Sequence, residues 1–218
     1  MWTRPRGGRR PKLTREAIVE AAIRIADAEG LDAVSIRRIA SELGVRAMSL
    51  YTHIDAKEDL LDLMYDEVAG EVLVDDRELP DDWRDAVLVL ARRERDASIR
   101  HPWLLKIAGR SVRVGPNGLR HLEQSLAAIA RLTDDPEKML TIVKAVDYYM
   151  MGFIAFEQGI GQDRPSSPLE QAFVRKLVDS GELPHLKPFL ETGLYSHSSF
   201  EQGLKWLLDG IEHEYGGK

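Results

Sequence analysis

The chain has 218 residues, 44% of them hydrophobic and 30% charged, with 30 Lys/Arg against 36 Asp/Glu and no cysteine. It is long enough for one domain or two small ones, and the missing cysteine excludes disulfides and thiolate metal sites. No stretch reads as a membrane span, which needs about 20 apolar residues, and no apolar segment follows the basic N-terminus, so a signal peptide is excluded and a cytoplasmic protein expected. The net charge of −6 is unevenly distributed: up to Lys57 eleven Lys/Arg meet seven Asp/Glu, net +4, and the remainder is −10. The basic part is the candidate for contact with nucleic acid.

Residues 1–13 read as a flexible basic arm, with Arg4, Arg6, Arg9, Arg10 and Lys12 interrupted by Pro5, Gly7, Gly8 and Pro11. Such an arm either follows a minor groove or adds only general attraction to phosphate. Thr14 then caps a helix that reaches Glu29, buries Ile18, Ala21, Ala22 and Ile25, and ends at Gly30. Ser35 caps a shorter helix whose apolar side is Ile36, Ile39, Ala40 and Leu43. Gly44 tolerates a left-handed turn, and Val45 can plug the angle to a second short helix, about Arg46 to Thr52, with Leu50 and Ile54 inward. Two short helices across such a turn make a helix-turn-helix. In that motif the start of the second helix enters the major groove while the first crosses the backbone. Arg46, Ala47, Met48 and Ser49 are therefore the candidate readers of base edges.

Asp55 and Glu58 stand in capping-box spacing before a long helix carrying Leu60, Leu61, Met64, Val68 and Val72. Past Pro80, a helix from about Asp82 turns Trp83, Val87, Leu90 and Ala91 inward, and Pro102 opens another. Gly115-Pro116-Asn117-Gly118 reads as a turn before a helix with Leu119, Leu122, Leu126 and Ile129. Asp135-Pro136 caps a helix to about Gln158 that has more apolar residues than one face needs. Ser198 and Glu201, again in capping-box spacing, start a final helix with Phe200, Leu204, Leu207, Leu208 and Ile211 on one stripe. No segment alternates with the period of a strand. The expectation is an all-α protein: a helix-turn-helix DNA-binding head over 14–56 and a larger helical ligand-binding and dimerisation body over 57–218, beginning with a connecting helix. The last stripe is the expected dimer interface, unless it only covers the chain's own core. Dimerisation would place two heads about one helical turn apart on a palindrome.

In the body, Trp83, Val87, Trp103, Ile107, Tyr148 and Met151 are candidates to line an effector pocket, since aromatics and methionine make soft apolar cavities. The same residues serve any helical core. His101 and His121 lack a ligand partner at helical spacing, so neither metal nor cofactor is assigned. No G-x-S-x-G, Walker loop, H-E-x-x-H or Gly-rich dinucleotide turn is present, and no enzyme is expected.

Residues 43–61, LGVRAMSLYTHIDAKEDLL, resemble the tetracycline-repressor (TetR) family of transcriptional regulators. The likeness rests on Leu43-Gly44-Val45, Leu50-Tyr51, His53-Ile54, Lys57 and Leu60-Leu61 at the family's spacing. It implies that Tyr51, His53 and Lys57 lie along a phosphate strand, that Ser35 touches phosphate, and that Arg37 reaches a base from the first helix of the motif. It further implies that the last two long helices pair with their copies as a four-helix bundle and that the body binds a small molecule. The segments DWRDAVLVLARRERDASIRHPWLLKI, GPN and SFEQGLKWLLDGIEHEY are similar to the subgroup of the tetracycline repressor itself. Positions 46–48 vary among members, so the resemblance implies no operator sequence. The protein expected is a homodimeric repressor, released from a palindromic DNA operator by a small apolar or aromatic effector.

Overall fold

The computed structural model describes residues 13–75, 77–108, 115–159, 167–188 and 199–215. The basic arm, apart from Leu13, lies outside them. Among the described residues there are helices and turns and no strand, in keeping with the all-α expectation. They fall into two compact units, one ending at Ala128 and one starting at Ile129.

The first unit begins with α1 (Arg15–Glu29), α2 (Ile36–Leu43), α3 (Ala47–Leu50) and α4 (Lys57–Val72). Thr14 Oγ1 accepts the Ala17 N–H at 3.2 Å, and Gly30 ends α1 at φ 86°, as capping chemistry requires. Ile18, Ile25, Ile39 and Leu50 meet in one core, each fully buried. That core does not stop at residue 56. Leu60, Leu61, Met64 and Val68 of α4 belong to it, as do Trp103 and Ile107. A head over 14–56 is therefore no separate packing unit: each such side chain contributes about 1.5–3 kcal/mol by burial, and α4 supplies several of them. The Asp55–Glu58 capping box also does not form. Ala56 is the N-cap, with no side chain to accept a bond, and Glu58 and Asp59 instead face the positive end of the helix from its first turn.

The unit continues with α5 (Trp83–Arg100), α6 (Leu104–Ala108) and α7 (Pro116–Ile129), whose last residue begins the second unit. Residues 116–118, expected as a turn, are the first turn of α7. Pro116 suits that place because its missing N–H would have no intrahelical partner. The next two amides, of Asn117 and Gly118, are each accepted by Asp66 Oδ1 of α4 at 2.9 Å.

The second unit holds α8 (Pro136–Glu157), α9 (Pro168–Asp179) and α10 (Phe200–Tyr215). Asp135 opens α8 by accepting the N–H groups of Glu137 and Lys138. Ser199 opens α10, accepting from Gln202 N–H at 3.2 Å; Ser198 lies outside the described residues. α9 has no counterpart in the sequence reading, although Ser167 and Glu170 form a full capping box around Pro168. α10 packs on α8, where Tyr149 Oη donates to the Phe200 carbonyl at 2.8 Å and Phe153 meets Phe200 edge to face at 5.2 Å. Gly203 permits this approach, since a Cβ there would strike the Tyr149 hydroxyl.

α8 corrects the expectation that no stretch suits a membrane: with 22 residues and a mean hydropathy of 1.4 over its most apolar window, it is long and apolar enough to cross one. Its composition has another cause. Ile142, Val143, Val146, Met150 and Ile154 are buried while Tyr148, Met151 and Phe156 are exposed, so the helix has two apolar faces. Lys144 and Asp147 lie mid-helix, where each would cost about 2.5–3.5 kcal/mol in a bilayer.

Candidate nucleic-acid interface

The interface is built on a turn that fixes two helices. Ser35 Oγ accepts the Arg38 N–H at 3.2 Å and starts α2. Gly44 ends it in the left-handed region, φ 65° and ψ 31°, and the Val45 N–H returns to the Ala40 carbonyl at 3.0 Å. With the Gly44 N–H donating to the Ser41 carbonyl at 3.3 Å, this pair of bonds is the Schellman arrangement, which a residue with a Cβ adopts only under strain. α3 is shorter than the expected 46–52. Arg46 is its N-cap, four residues are α-helical, and tighter bonds carry the turn onward, from His53 N–H to the Leu50 carbonyl at 2.9 Å and from Thr52 Oγ1 to the Ser49 carbonyl at 2.8 Å.

This backbone sorts the candidates by exposure. Leu50 and Ile54 are buried and anchor the turn; Ala47 and Ser49 are half-buried; Ser35, Arg37, Arg46, Tyr51, His53 and Lys57 are exposed. Met48 is 74% exposed, a large apolar side chain held in solvent on the outer side of α3. A thymine methyl is the kind of group it could meet. Ala47, against the core, offers less to a base than its position in the sequence suggests.

The adjacent arginines of α2 have different tasks. Arg38 donates to Glu29 at 2.6 Å and to Glu42 at 2.9 Å, tying α2 to α1. The bonds to Glu29 and then Glu42 hold its guanidinium above the ordinary arginine range, and the Arg38 bond in turn keeps the Glu29 carboxyl below the ordinary carboxylate range. Arg37 is exposed, with no ion pair among the described residues. Its fork is free for a ligand.

The body candidates divide. Trp103 and Ile107 belong to the core shared with α1 and α4, and Trp83 and Val87 are buried on α5. Tyr148 is 70% exposed and Met151 39%, so on α8 they form surface and not the wall of a closed cavity. Of the expected dimer stripe, Phe200, Leu204, Leu208 and Ile211 are buried within the single chain and Leu207 is half-buried, while the large exposed apolar side chain of α10 is Trp206 at 68%. Helical spacing identified a buried stripe without showing whose core it fills.

Residues 18–64 match the family described as bacterial regulatory proteins, tetR family, and residues 77–215 match the tetracyclin repressor-like C-terminal domain. The chain belongs to the TetR family. It is a DNA-binding transcriptional regulator, not an enzyme, as expected from its helix-turn-helix. The HTH-type transcriptional repressor DrrR1 of Streptomyces coeruleorubidus is 34% identical over 226 residues, covering 96% of this chain and 81% of its own. ActR of Streptomyces coelicolor, solved in complex with actinorhodin, is 29% identical with a TM-score of 0.76, covering 95% of this chain and 99% of its own. BioQ, solved with its natural double-stranded DNA operator, is 26% identical with a TM-score of 0.54, covering 78% and 98%.

Several residues that hold this TetR-family head in place went unnoticed in the sequence. Asp66 caps α7 from a distance of 51 residues in the chain, and Asp27 accepts from both His101 and the Trp103 indole. No local spacing rule reports such pairs. The one available hint was at Asp66, half-buried on a long apolar helix without a neighbour of opposite charge at helical spacing; Asp27 is exposed and has Arg24 three residues before it.

Proposed function

We propose that this TetR-family regulator is a homodimeric repressor that binds a palindromic operator and leaves it when a small organic effector occupies the body. The observation carrying this reading is the sorting of residues 35–57: cationic, hydroxyl and aromatic side chains, and Met48, project outward from a turn whose other apolar members are engaged in the core. Arg37 and Arg46 are assigned to base edges, Met48 to a thymine methyl, and Ser35, Tyr51, His53 and Lys57 to phosphates; Ala47 and Ser49 line the contact. Ser35 is suited because its oxygen accepts the Arg38 N–H and its own hydrogen stays available to a phosphate. The BioQ operator complex supports the DNA assignment, and the actinorhodin complex of ActR supports a small-molecule effector. Trp83 and Val87 are the effector contacts we favour in this chain. Repression places the protein in the cytoplasm with the genome.

A bidentate arginine on guanine contributes about 1–3 kcal/mol of discrimination. Arg37→Ala is therefore expected to flatten preference at one base pair in each half-site while leaving affinity for unrelated duplex nearly unchanged. Competition binding over single-base operator variants measures this. Equal loss on every sequence would make Arg37 a phosphate contact and refute base reading from α2.

A further inference from the structure

Behind the DNA-facing surface, the first unit holds a buried histidine between two carboxylates from different helices. His101, the C-cap of α5, is 7% exposed. Its Nδ1 lies 2.8 Å from Asp27 Oδ1 of α1, and its Nε2 lies 3.3 Å from Glu71 Oε2 of α4. The Trp103 indole N–H donates to the same Asp27 oxygen at 2.6 Å, and its ring meets the imidazole edge to face at 5.8 Å. On the other side, Arg100 donates to Glu71 Oε2 at 2.8 Å.

Hydrogen-bond bookkeeping constrains the proton count. Ionised carboxylates only accept, and a neutral imidazole has a single N–H. With one proton on the ring, one nitrogen would turn its lone pair toward a carboxylate oxygen. With two, both contacts are charge-assisted hydrogen bonds, roughly twice as strong as neutral ones. Glu71 is kept as an acceptor: burial opposes its ionisation, but hydrogen bonds from Arg100 and His101 outweigh burial and hold its carboxyl below the ordinary range.

We propose that His101 is a proton-held clasp that joins α1 of the DNA-reading head to the connecting helix α4, and that its deprotonation loosens the head and weakens operator binding. The inference rests on the DNA-binding reading of the head. The charged groups facing the ring are Asp27 from α1, Glu71 from α4 and Arg100 from α5; Trp103, leading into α6, is neutral. Lys106 of α6 and Asp32 of the turn after α1 form a separate exposed pair at 4.0 Å. The sign follows from the proton count. The clasp is closed while the ring carries two protons and opens as pH rises, so affinity falls on the alkaline side. His101 is a positioning residue, since it acts through α1 and α4 and touches no base.

The test is operator affinity from pH 6 to 8.5 at fixed ionic strength, using a palindromic duplex recovered from a random-sequence pool. His53 lies on the DNA face and would bring its own pH dependence, so the measurement is made in H53Q and in H53Q/H101Q. H53Q is expected to lose affinity as pH rises, by at most about tenfold per pH unit for one linked proton; the double variant, whose amide cannot titrate, is expected to show a flat profile. Equal pH slopes in the two proteins would overturn the proposal, as would a loss in H101Q that is the same at every pH, which marks a purely structural role. Should H101Q not fold, the imidazole nitrogen resonances of the wild-type protein decide. Two protonated nitrogens giving way to one as pH rises, together with faster amide exchange in α1, support the clasp; a ring neutral throughout contradicts it. No binding of any duplex at any pH would instead remove the DNA reading, and the resonances would still report on the ring.

Discussion

Replacing Trp206 by glutamate is expected to turn the protein into a folded monomer whose operator affinity is lower by about 10²–10⁴-fold, the range lost when two linked contacts become independent. Trp206 is 68% exposed on α10, and α8 offers Tyr148 at 70%, Phe156 at 48% and Met151 at 39%. In the proposed homodimer, these exposed apolar side chains of α8 and α10 are the surface assigned to the contact. Gly152 of α8 and Gly210 of α10 border open space on these helices: a Cβ built at either meets no atom within 4 Å. The substitution leaves Phe200, Leu204, Leu208 and Ile211 in their own core, so folding should survive while association fails. Sedimentation equilibrium together with operator titration measures both effects. A glutamate variant that remains dimeric at micromolar concentration would show that the two-fold contact lies elsewhere.

The second large effect concerns the start of α7. Asp66 Oδ1 accepts two amides, and Asn117 Nδ2 donates back to the Asp66 carbonyl at 3.1 Å. Loss of a helix cap costs about 0.5–2 kcal/mol, and Asp66→Ala also strands amides in a partly buried place, so its expected cost is near the top of that range. Gly115→Ala should cost about 1–3 kcal/mol by overpacking, because its Cβ would strike the Asp66 carboxylate. These costs are coupled. Once Asp66 is alanine the obstructing oxygens are gone, and Gly115→Ala should add little. A double-mutant cycle by urea or thermal unfolding is expected to show an interaction energy of about 0.5–3 kcal/mol, whereas strict additivity would mean the cap is not formed in solution. At about 2–4 °C per kcal/mol for a chain of this size, the single variants should be distinct in melting temperature.

Local chemistry made the head legible. Thr14, Gly30, Ser35 and Gly44 act within four residues of themselves, and each caps or ends the helix that its type and position indicate. The family resemblance in residues 43–61 rests on the same short spacings. Legibility fails where a residue acts across the fold. Asp55 had the right spacing for a cap and did not become one, because the helix starts at Lys57, after Ala56. Residues 116–118 carry turn chemistry, yet Asp66 satisfies their amides and makes them helix. Leu204 and Leu208 form a regular stripe, and only the packing of α10 on α8 shows that it faces inward while Trp206 faces out. His101 read as a histidine without a ligand partner, and its two carboxylate neighbours come from helices 74 and 30 residues away.

The central claim is that two copies of residues 35–57 read one two-fold symmetric DNA site. Selection of bound duplexes from a random-sequence pool by the purified full-length protein tests it most directly, followed by determination of the mass of the complex. The expected product is an inverted repeat whose half-sites lie about one helical turn apart, bound by an even number of protomers. Recovery of no preferred sequence, or of a single asymmetric site bound by one protomer, would contradict it.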